Sequence, residues 1–375
     1  MNIGFRVDGS ESIGMGHIMR SISLAKAFKQ KNHNVVFITR EKLGKEKIKL
    51  EKFDILELKN LKEKTKISGY DYGNEAERKL EVEELKKINK DNKIDLLIVD
   101  SYNVDENYFI ELKKEVRYIA YIDDINRKKY KMDILINGNI DGEHKNYDIC
   151  PSNLYLLGPS YNLIRDEFRD LSQHKISSKI KNIMITTGGS DYYELTNYLS
   201  DKLLEISQKY NYKININIVV GGGFQNTKSL VSMKNSVNTN KCETQINLFT
   251  SNKDNQNDDI KYKAMIDIMK ESDIAISSGG STLYELCAVG IPSISFILAD
   301  NQKKIVEMME KLGYIESLGW YNKININKLT DLLEKWMENF ELRKKISLKN
   351  QSLVDAYGTL RIVDEIEKWI ELKED

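Results

Sequence analysis

The first twenty residues decide the fold class, and they read MNIGFRVDGSESIGMGHIMR (residues 1–20). Residues 2–7 form a short run of β-branched and aromatic side chains, which predicts a buried strand. A loop with glycines at positions 9, 14 and 16 follows, and an amphipathic stretch over about residues 17–31 predicts a helix. A strand, a glycine turn and a helix in that order are typical of a Rossmann-like α/β domain.

The same alternation continues along the chain and then starts again. Further strands are predicted at residues 34–38, 95–99, 118–122 and 134–136, and a second series at 182–186, 214–220, 274–277 and 294–298. Short, nearly all-apolar strands separated by helices indicate parallel sheets covered on both faces. The sequence therefore predicts an α/β fold of two Rossmann-like domains.

Changes in composition suggest where the domains end. We predict an N-terminal domain over residues 1–165, a polar linker over 166–180, a C-terminal domain over 181–350 and a C-terminal helix over 351–375. Residues 236–259 are rich in Asn, Thr, Lys, Gln and Asp and have little apolar periodicity. We predict that this segment is a dispensable surface insertion.

Composition and charge exclude several classes of protein. The 375 residues carry 57 basic and 57 acidic side chains, with 41% hydrophobic residues, which is typical of a globular protein and unlike a dedicated nucleic-acid binder. No apolar run reaches the roughly 18 residues of a membrane helix, and the N-terminus lacks a secretory signal. Three distant cysteines (150, 242 and 287) argue against disulfides and zinc. We predict a cytoplasmic protein without a cofactor, a nucleic-acid partner or stable membrane insertion, and leave the oligomeric state open.

His17 is the first candidate for chemistry, because it falls in the first turn of the helix that follows the glycine loop. The positive end of the helix dipole disfavours the imidazolium, so a neutral ring could accept a proton near pH 7. Gly16 and its neighbours allow a ligand to approach the backbone. The alternative is a helix-start histidine without a chemical role. The loop is not G-x-G-x-x-G, so it does not predict a dinucleotide site.

A second candidate lies where the strand at 274–277 runs through Ser278, Gly279 and Gly280 into a helix that begins with Ser281 and Thr282. Backbone N–H groups at such a helix start bind anions. Glu285, one turn further, could hold a ribose diol or be a solvated glutamate. Gly188 and Gly189 repeat the arrangement after another strand, and they either share a diphosphate or only turn the chain.

Polar residues also follow two other predicted strands. The amides of Asn301 and Gln302 could bind sugar hydroxyl or N-acetyl groups, or Asn301 could cap the next helix. Tyr102 could face a ligand or be a core tyrosine. No D-x-D motif and no cluster of His, Cys and carboxylates at metal spacing is present, so no metal site is predicted.

Taken together, these motifs resemble a known family. Residues 14–20 (GMGHIMR), 100–102 (DSY), 163–168 (LIRDEF), 188–191 (GGSD), 278–285 (SGGSTLYE) and 300–302 (DNQ) occur in the order found in the UDP-2,4-diacetamido-2,4,6-trideoxy-β-L-altropyranose hydrolases of pseudaminic acid biosynthesis. Related spore-coat polysaccharide proteins share the pattern, and the resemblance covers most of residues 1–320. It implies a GT-B fold like that of the glycosyltransferase MurG, with parallel sheets facing across a cleft and UDP held mainly by the C-terminal domain.

The resemblance also implies that His17 is catalytic and that Tyr102 and Asn301 belong to the active site. From the same motifs we assign sugar binding to Asp8, Gly16, Arg20, Tyr102, Asn301 and Gln302. We assign UDP binding to Gly188, Gly189, Ser278, Gly279, Gly280, Ser281, Thr282 and Glu285.

The predicted reaction is metal-independent hydrolysis of a UDP-sugar with inversion, in which His17 activates the attacking water. The alternatives are a GT-B glycosyltransferase with a UDP-sugar donor and a non-catalytic nucleotide-sugar-binding protein.

Overall fold

A computed structural model of the chain describes residues 1–10, 13–60, 62, 64–67, 70–127, 129–239, 243–252 and 257–374. The chain divides into two compact units. The first comprises Met1–Asp166 and Ala356–Asp375, and the second comprises Glu167–Asp355. The predicted linker over residues 166–180 therefore belongs almost wholly to the second unit. The C-terminal residues return to the first.

The first unit is built on a parallel sheet of seven strands in the order β3-β2-β1-β6-β7-β8-β9, and β4 and β5 form a separate antiparallel pair. The strands of this unit are β1 (Asn2–Val7), β2 (Asn34–Thr39), β3 (Asp54–Glu57), β4 (Lys64–Ile67), β5 (Tyr70–Gly73), β6 (Leu96–Asp100), β7 (Tyr118–Ile122), β8 (Ile134–Asn137) and β9 (Leu154–Leu157). Its first four helices are α1 (Gly16–Gln30), α2 (Lys42–Leu50), α3 (Glu75–Asn92) and α4 (Glu106–Leu112).

Strand β1 illustrates why the sheet is buried on both faces. Ile3, Phe5 and Val7 alternate along the strand and pack into one hydrophobic core with α1. The intervening Arg6 points to the other face, where it bonds to Glu81 on α3. The alternation follows from the two-residue period of a strand, so helices must cover both sides.

The second unit repeats this architecture with a seven-stranded parallel sheet in the order β13-β12-β11-β10-β14-β15-β16. Its strands are β10 (Asn182–Thr186), β11 (Asn215–Val219), β12 (Gln245–Thr250), β13 (Lys261–Tyr262), β14 (Ile274–Ser278), β15 (Ser293–Ile297) and β16 (Ile315–Trp320). Its helices are α5 (Leu195–Lys209), α6 (Thr227–Thr239), α7 (Met265–Lys270), α8 (Ser281–Val289), α9 (Asp300–Lys311), α10 (Ile326–Glu338) and α11 (Phe340–Gln351). Two parallel seven-stranded sheets with flanking helices confirm the predicted fold class.

The last helix, α12 (Gly358–Glu374), belongs to the first unit. Its apolar face, formed by Ile362, Val363, Ile366 and Ile370, is part of the same core as β1 and α1. At the other end of α1, Lys31 pairs with Asp364 at 2.7 Å. The C-terminal helix therefore completes the first Rossmann-like unit.

The structure corrects the interpretation of residues 236–259 as a surface insertion. Residues 236–239 end α6, and β12 lies inside the parallel sheet between β11 and β13. Ile246 and Leu248 are fully buried in the core of the second unit. Residues 240–242, which include Cys242, and 253–256 lie outside the described residues. The polar composition misled the prediction because Asn247 lies in the strand between Ile246 and Leu248, where its Nδ2 donates to Asn217 Oδ1 on β11 at 3.0 Å.

Within the described part of the chain, no helix has the length and apolar character needed to cross a membrane. Cys150 and Cys287 are free thiols.

Candidate active site

The predicted catalytic histidine lies at the start of α1, after the glycine loop. Gly14 adopts a left-handed φ of +82°, and its N–H donates to the Ser10 carbonyl at 2.7 Å, which closes the loop. A Cβ atom added at Gly14 or Gly16 would meet no atom within 4 Å among the described residues. The helix start has neither a side-chain cap nor an acidic residue in its first turn. The backbone around His17 is therefore open to a ligand.

The His17 ring is held by a carboxylate at the end of the neighbouring strand. Its Nδ1 lies 2.6 Å from Asp100 Oδ1, and both side chains are buried. Two acceptors would not approach so closely, so Nδ1 carries a proton and donates it to the carboxylate. In the neutral ring the lone pair is then on Nε2, which is the atom that can accept a proton.

Arg20 joins this cluster from the next turn of α1. Its Nε donates to Asp100 Oδ2 at 2.7 Å and its Nη2 to Oδ1 at 2.5 Å. Its Nη1 donates to Asp124 Oδ2 at 2.9 Å. Arg20 Nη2 is also 3.0 Å from His17 Nδ1, but both groups are donors and share the same carboxylate oxygen. Arg20 was predicted to bind the sugar, and the structure instead places its guanidinium on two carboxylates.

The charge of Arg20 has a clear effect on Asp100. Burial alone would raise the pKa of this carboxyl, but the adjacent Arg20 and His17 hold it far below its usual range. Asp100 is therefore a permanent anion at neutral pH. It keeps the proton on Nδ1 of His17 and fixes the ring orientation, as a carboxylate does for the histidine of a hydrolytic triad.

Tyr102 packs against the same ring. The two ring centroids are 4.9 Å apart with an interplanar angle of 81°, so the contact is edge-to-face. The tyrosine is buried and also packs on Ile13 in a small apolar cluster. The structure thus brings together His17, Arg20 and Tyr102 of the predicted residues. Their companion Asp100 was quoted in a motif but was not assigned to the site.

Asp8 lies in a different cluster. Its Oδ1 accepts from Thr39 Oγ1 at 2.9 Å and from the Arg40 N–H at 3.0 Å, and its Oδ2 pairs with Arg6 at 2.7 Å. Burial alone would raise the pKa of Asp8, but the charges of Arg6 and Arg40 lower it by more, so its pKa lies below the ordinary value. Both oxygens are occupied by protein donors, so the geometry fits a structural ion pair better than the predicted sugar contact.

Asp123, at the end of β7, is the other unusual carboxyl of this edge. It is fully buried and accepts backbone N–H bonds from Ile125 at 3.0 Å and Asn126 at 3.1 Å. Burial and the neighbouring charge of Asp124 outweigh these bonds and raise the pKa of Asp123 to about 6. Sequence reasoning missed this residue, although its place directly after a buried strand was a usable signal.

In the second unit, three polar loops follow β10, β14 and β15, and their helix starts differ in charge. After Gly188 and Gly189, Asp191 closes the start of α5: its Oδ1 accepts from the Leu195 N–H and its Oδ2 from the Thr196 N–H, each at 2.9 Å. An anion already occupies the position that a phosphate would need. The structure therefore favours the alternative in which Gly188 and Gly189 only turn the chain.

The start of α8 is different, because it has no side-chain cap and no acidic residue in its first turn. The first backbone N–H groups of α8 are those of Ser281 and Thr282. Such N–H groups at a helix start, together with the positive end of the helix dipole, can bind an anion. A Cβ at Gly280 would have only Gln302 Nε2 nearby, at 3.9 Å, whereas a Cβ at Gly279 would lie 2.3 Å from Val306. Gly280 thus leaves open space at the helix start, and Gly279 permits close packing.

Ser278 and Gln302 hold these loops in place. Ser278 Oγ donates to the Thr187 carbonyl at 3.2 Å, which ties the β14 loop to the β10 loop. Gln302 Oε1 accepts from the Leu298 N–H at 2.9 Å, so its amide stabilises the turn after β15. Asn301 is not the N-cap of α9, because that position is Ala299. The capping alternative for Asn301 is therefore wrong.

Glu285 lies on α8 within a run of buried residues from Leu283 to Val289. Only 8% of its surface is exposed, which excludes the alternative of a solvated glutamate. A buried carboxylate on this helix needs polar partners, since an isolated buried charge is strongly unfavourable. Its position one turn after the open helix start is the one predicted for a ribose contact.

Among the residues that the structure describes, no group of three or more His, Cys, Asp or Glu side chains could hold a metal ion.

Comparisons with known proteins agree with this architecture. The model of the glycosyltransferase family 28 C-terminal domain matches residues 182–356. MurG of Acinetobacter baumannii superposes with a TM-score of 0.67 at 14% identity, covering 98% of this chain and 99% of that one. The fold is GT-B.

Three curated relatives are similar in sequence. An uncharacterized protein of Methanocaldococcus jannaschii is 27% identical over 88% of this chain, which spans 61% of that protein's length. The UDP-2,4-diacetamido-2,4,6-trideoxy-β-L-altropyranose hydrolase of Campylobacter jejuni is 26% identical over 84% of this chain and 98% of its own. A spore coat polysaccharide biosynthesis protein of Bacillus subtilis is 23% identical over 96% of both chains.

Proposed function

We propose that the chain is an enzyme acting on nucleotide sugars, and specifically that it hydrolyses a UDP-linked diacetamido-trideoxy sugar to UDP and the free sugar. The observation that carries the proposal is the 2.6 Å bond between His17 Nδ1 and Asp100, which leaves Nε2 as a base. The relative from Campylobacter jejuni, named for the hydrolysis of UDP-2,4-diacetamido-2,4,6-trideoxy-β-L-altropyranose, supports the choice of substrate class.

In the proposed reaction, a water oxygen forms a bond to the anomeric carbon while the bond from that carbon to the UDP oxygen breaks. His17 Nε2 accepts the proton of the water, and Asp100 stabilises the imidazolium that forms. The negative charge that develops on the diphosphate is stabilised by the open N-terminus of α8. Attack on the face opposite UDP inverts the anomeric configuration.

The ligand contacts are proposed residue by residue. Gly280, Ser281 and Thr282 are proposed to contact the diphosphate, and Glu285 the ribose. Tyr102 and Asn301 remain proposed sugar contacts. Gly16 is proposed to leave room for the ligand at the start of α1, since a Cβ there meets no described atom within 4 Å.

The alternative with specific support is a glycosyltransferase, because the match over residues 182–356 is to a glycosyltransferase domain. It would use the same UDP contacts but transfer the sugar to an acceptor hydroxyl. A nucleotide-sugar-binding protein without turnover is a third possibility, and it would need Glu285 but not His17.

One experiment separates the three. The purified protein is incubated in ¹⁸O-labelled water with a panel of UDP-diacetamido sugars and no acceptor, and the products are followed by NMR and mass spectrometry. We expect UDP without label and free sugar with one ¹⁸O at the anomeric hydroxyl, first as the inverted anomer. Turnover that requires an added acceptor would identify a transferase, and tight binding without turnover would identify a binding protein. If ¹⁸O appears in the nucleotide, the bond to phosphorus is cleaved instead of the bond to the anomeric carbon.

A further inference from the structure

Arg20 is hydrogen-bonded to Asp100, the carboxylate that also binds the His17 ring. It contributes two hydrogen bonds to Asp100, at 2.7 and 2.5 Å, and one to Asp124, at 2.9 Å. Its side chain is 15% exposed, and the Asp100 side chain is 1% exposed. Three N–H groups of the Arg20 guanidinium are therefore occupied by two carboxylates. It is better placed to act on Asp100 than to bind a sugar.

The Asp100 carboxylate therefore divides its charge between two cations. Its Oδ1 accepts from both His17 and Arg20. Each bond to Arg20 weakens the hold of Asp100 on an imidazolium, because the same negative charge is already partly neutralised. The balance between the two determines how readily Nε2 of His17 takes up a proton.

Asp124 acts on this balance from the other side of Arg20. Its Oδ2 accepts from Arg20, and its Oδ1 is buried and meets no donor among the described residues. Asp124 thus competes with Asp100 for the charge of Arg20. If Asp124 were neutral, Arg20 would neutralise Asp100 more fully.

The structure describes several other charged groups near α1. Asp123 lies beside Asp124 at the end of β7, and Tyr102 contacts the ring itself. Asp8 is bound to Arg6 and Arg40. The ion pairs between α1 and the segments of α2 and α12 lie towards the C-terminal half of α1. Glu51, at the end of α2, pairs with Lys26, and Asp364 and Glu367 of α12 pair with Lys31.

We propose that Arg20 and Asp124 are positioning residues that set, through Asp100, the pH below which His17 ceases to act as a base. The expected effect on kcat rests on the proposed function. The expected effect on the protonation of the His17 ring does not.

The geometry predicts opposite effects for two substitutions in the same cluster. Arg20→Met leaves the full charge of Asp100 on the imidazolium, so the acid limb of the kcat profile should move to higher pH by about one unit. Asp124→Asn frees Arg20 for Asp100, so the limb should move to lower pH by a smaller amount. Arg20→Lys keeps the charge and should lie between wild type and Arg20→Met.

The control is Lys113→Met. Lys113 also binds both oxygens of one aspartate, Asp133, at 2.6 Å each, but the pair lies at the amino ends of the strands. Its loss should leave the acid limb unchanged.

The second measurement follows the imidazole signals by NMR titration without substrate. The chain has four histidines, at 17, 33, 144 and 174, and His17→Asn assigns the relevant signal. The His17 titration should move in the same two directions, while the other three histidines do not move.

Shifts of the same sign in both variants, or no shift in a folded variant, would overturn the proposal. If Arg20→Met does not fold, Arg20→Lys and Asp124→Asn test the same balance. A wild-type protein that fails to hydrolyse any UDP-sugar but gives the two opposite ring shifts would refute the proposed function and leave the coupling intact.

Discussion

At the residue scale, the proposed function assigns the chemistry to His17, and the chain offers a control for this histidine. We expect His17→Ala to lower kcat by roughly 10²-fold or more while UDP still binds, because the base is lost and the α8 contacts are not. His17→Asn should be nearly as impaired, since an amide cannot accept the proton.

The matched control is His33→Asn. His33 is half-buried and is also paired with a carboxylate, with its Nε2 2.9 Å from Glu367 Oε1, but it lies before β2 at the opposite end of the sheet. Its variant should keep the wild-type kcat. Steady-state kinetics and UDP titration calorimetry measure both effects, and a His17→Ala enzyme with near wild-type kcat would show that the histidine is structural.

Glu285 is a binding residue in the proposed scheme. Glu285→Gln keeps the size and one acceptor oxygen but removes the charge, so we expect KM to rise more than kcat falls. Because the side chain is buried, circular dichroism must first show that the variant folds. Unchanged affinity for UDP in a folded variant would contradict the ribose contact.

Asp123 provides a prediction about stability and pH. Its pKa is raised to about 6 in the fold, against an ordinary value of 3.8, so the folded protein retains a proton that the unfolded chain loses between these values. The contribution of Asp123 to stability therefore falls as pH rises through about 4 to 6 and stays low above it.

Asp123→Asn removes this penalty and keeps an acceptor for the Ile125 and Asn126 N–H groups. We expect the variant to match wild type near pH 4 and to be more stable at pH 8, by on the order of 2 kcal/mol. Urea denaturation at the two pH values measures the difference. The exposed Asp148→Asn is the comparison, and a gain of equal size at both pH values would contradict the assignment.

At the scale of elements, the two helix starts that follow a glycine pair differ in whether an anion could bind there. The α5 start is filled by the carboxylate of Asp191, whereas the α8 start has no cap. The sequence contains a glycine pair at both places, so composition alone could not separate them. The deciding residue is the aspartate that lies four positions before Leu195.

Two neighbouring glycines test the α8 site. Gly280→Ala adds a methyl group in open space at an ordinary φ of −87°, so the fold should be retained with a loss of about 1 kcal/mol, the cost of alanine at an N-cap. The same methyl group lies where the diphosphate is proposed to bind, and we expect UDP affinity to fall about tenfold.

Gly279→Ala is the contrasting variant. Its Cβ would lie 2.3 Å from Val306 on α9, so we expect a clear drop in the melting temperature. Calorimetric unfolding and UDP titration of both variants give the result. A Gly280→Ala protein with unchanged UDP affinity would place the diphosphate elsewhere.

Strand prediction succeeded where the local pattern was unambiguous. Residues 2–7, 118–122 and 182–186 are strands with the predicted bounds, since nearly continuous apolar runs need cover on both faces of a sheet. It failed at β12, where the alternation of Ile246 and Leu248 with polar neighbours reads as a surface segment. The burial of those two side chains depends on the packing of α6, which the local sequence does not contain.

The site was predictable only in part for a similar reason. His17 and Tyr102 could be identified from motifs, but their common partner could not, because Asp100 is 83 positions away from His17. The register of β1 and β6 brings Val7 beside Asp100, and thus the carboxylate beside the loop that leads to the histidine. Arg20 and Asp8 were assigned to sugar binding from sequence motifs, and the structure places both in ion pairs that use their polar atoms.

For the whole molecule, the path of the chain makes the two units unequal. The C-terminal unit is continuous in sequence, whereas the N-terminal unit needs α12 from the end of the chain. The four buried apolar side chains of α12 each contribute about 1.5–3 kcal/mol, which together is comparable with the total stability of a domain. The sequence predicted a C-terminal helix over residues 351–375, and α12 spans Gly358–Glu374, but the pattern did not predict the core against which it packs.

Truncation tests this dependence directly. A chain that ends at Asp355 lacks α12, and we expect amide protons of β1 and α1 to lose their protection from hydrogen exchange while those of β10 and β14 keep it. A chain that ends at Glu371 removes Leu372, which is 77% exposed, and should behave like wild type. Hydrogen exchange read by mass spectrometry resolves the two units. Equal loss of protection in both units would show that the C-terminal unit also depends on α12, and full protection of β1 without the helix would show that the first core is complete without it.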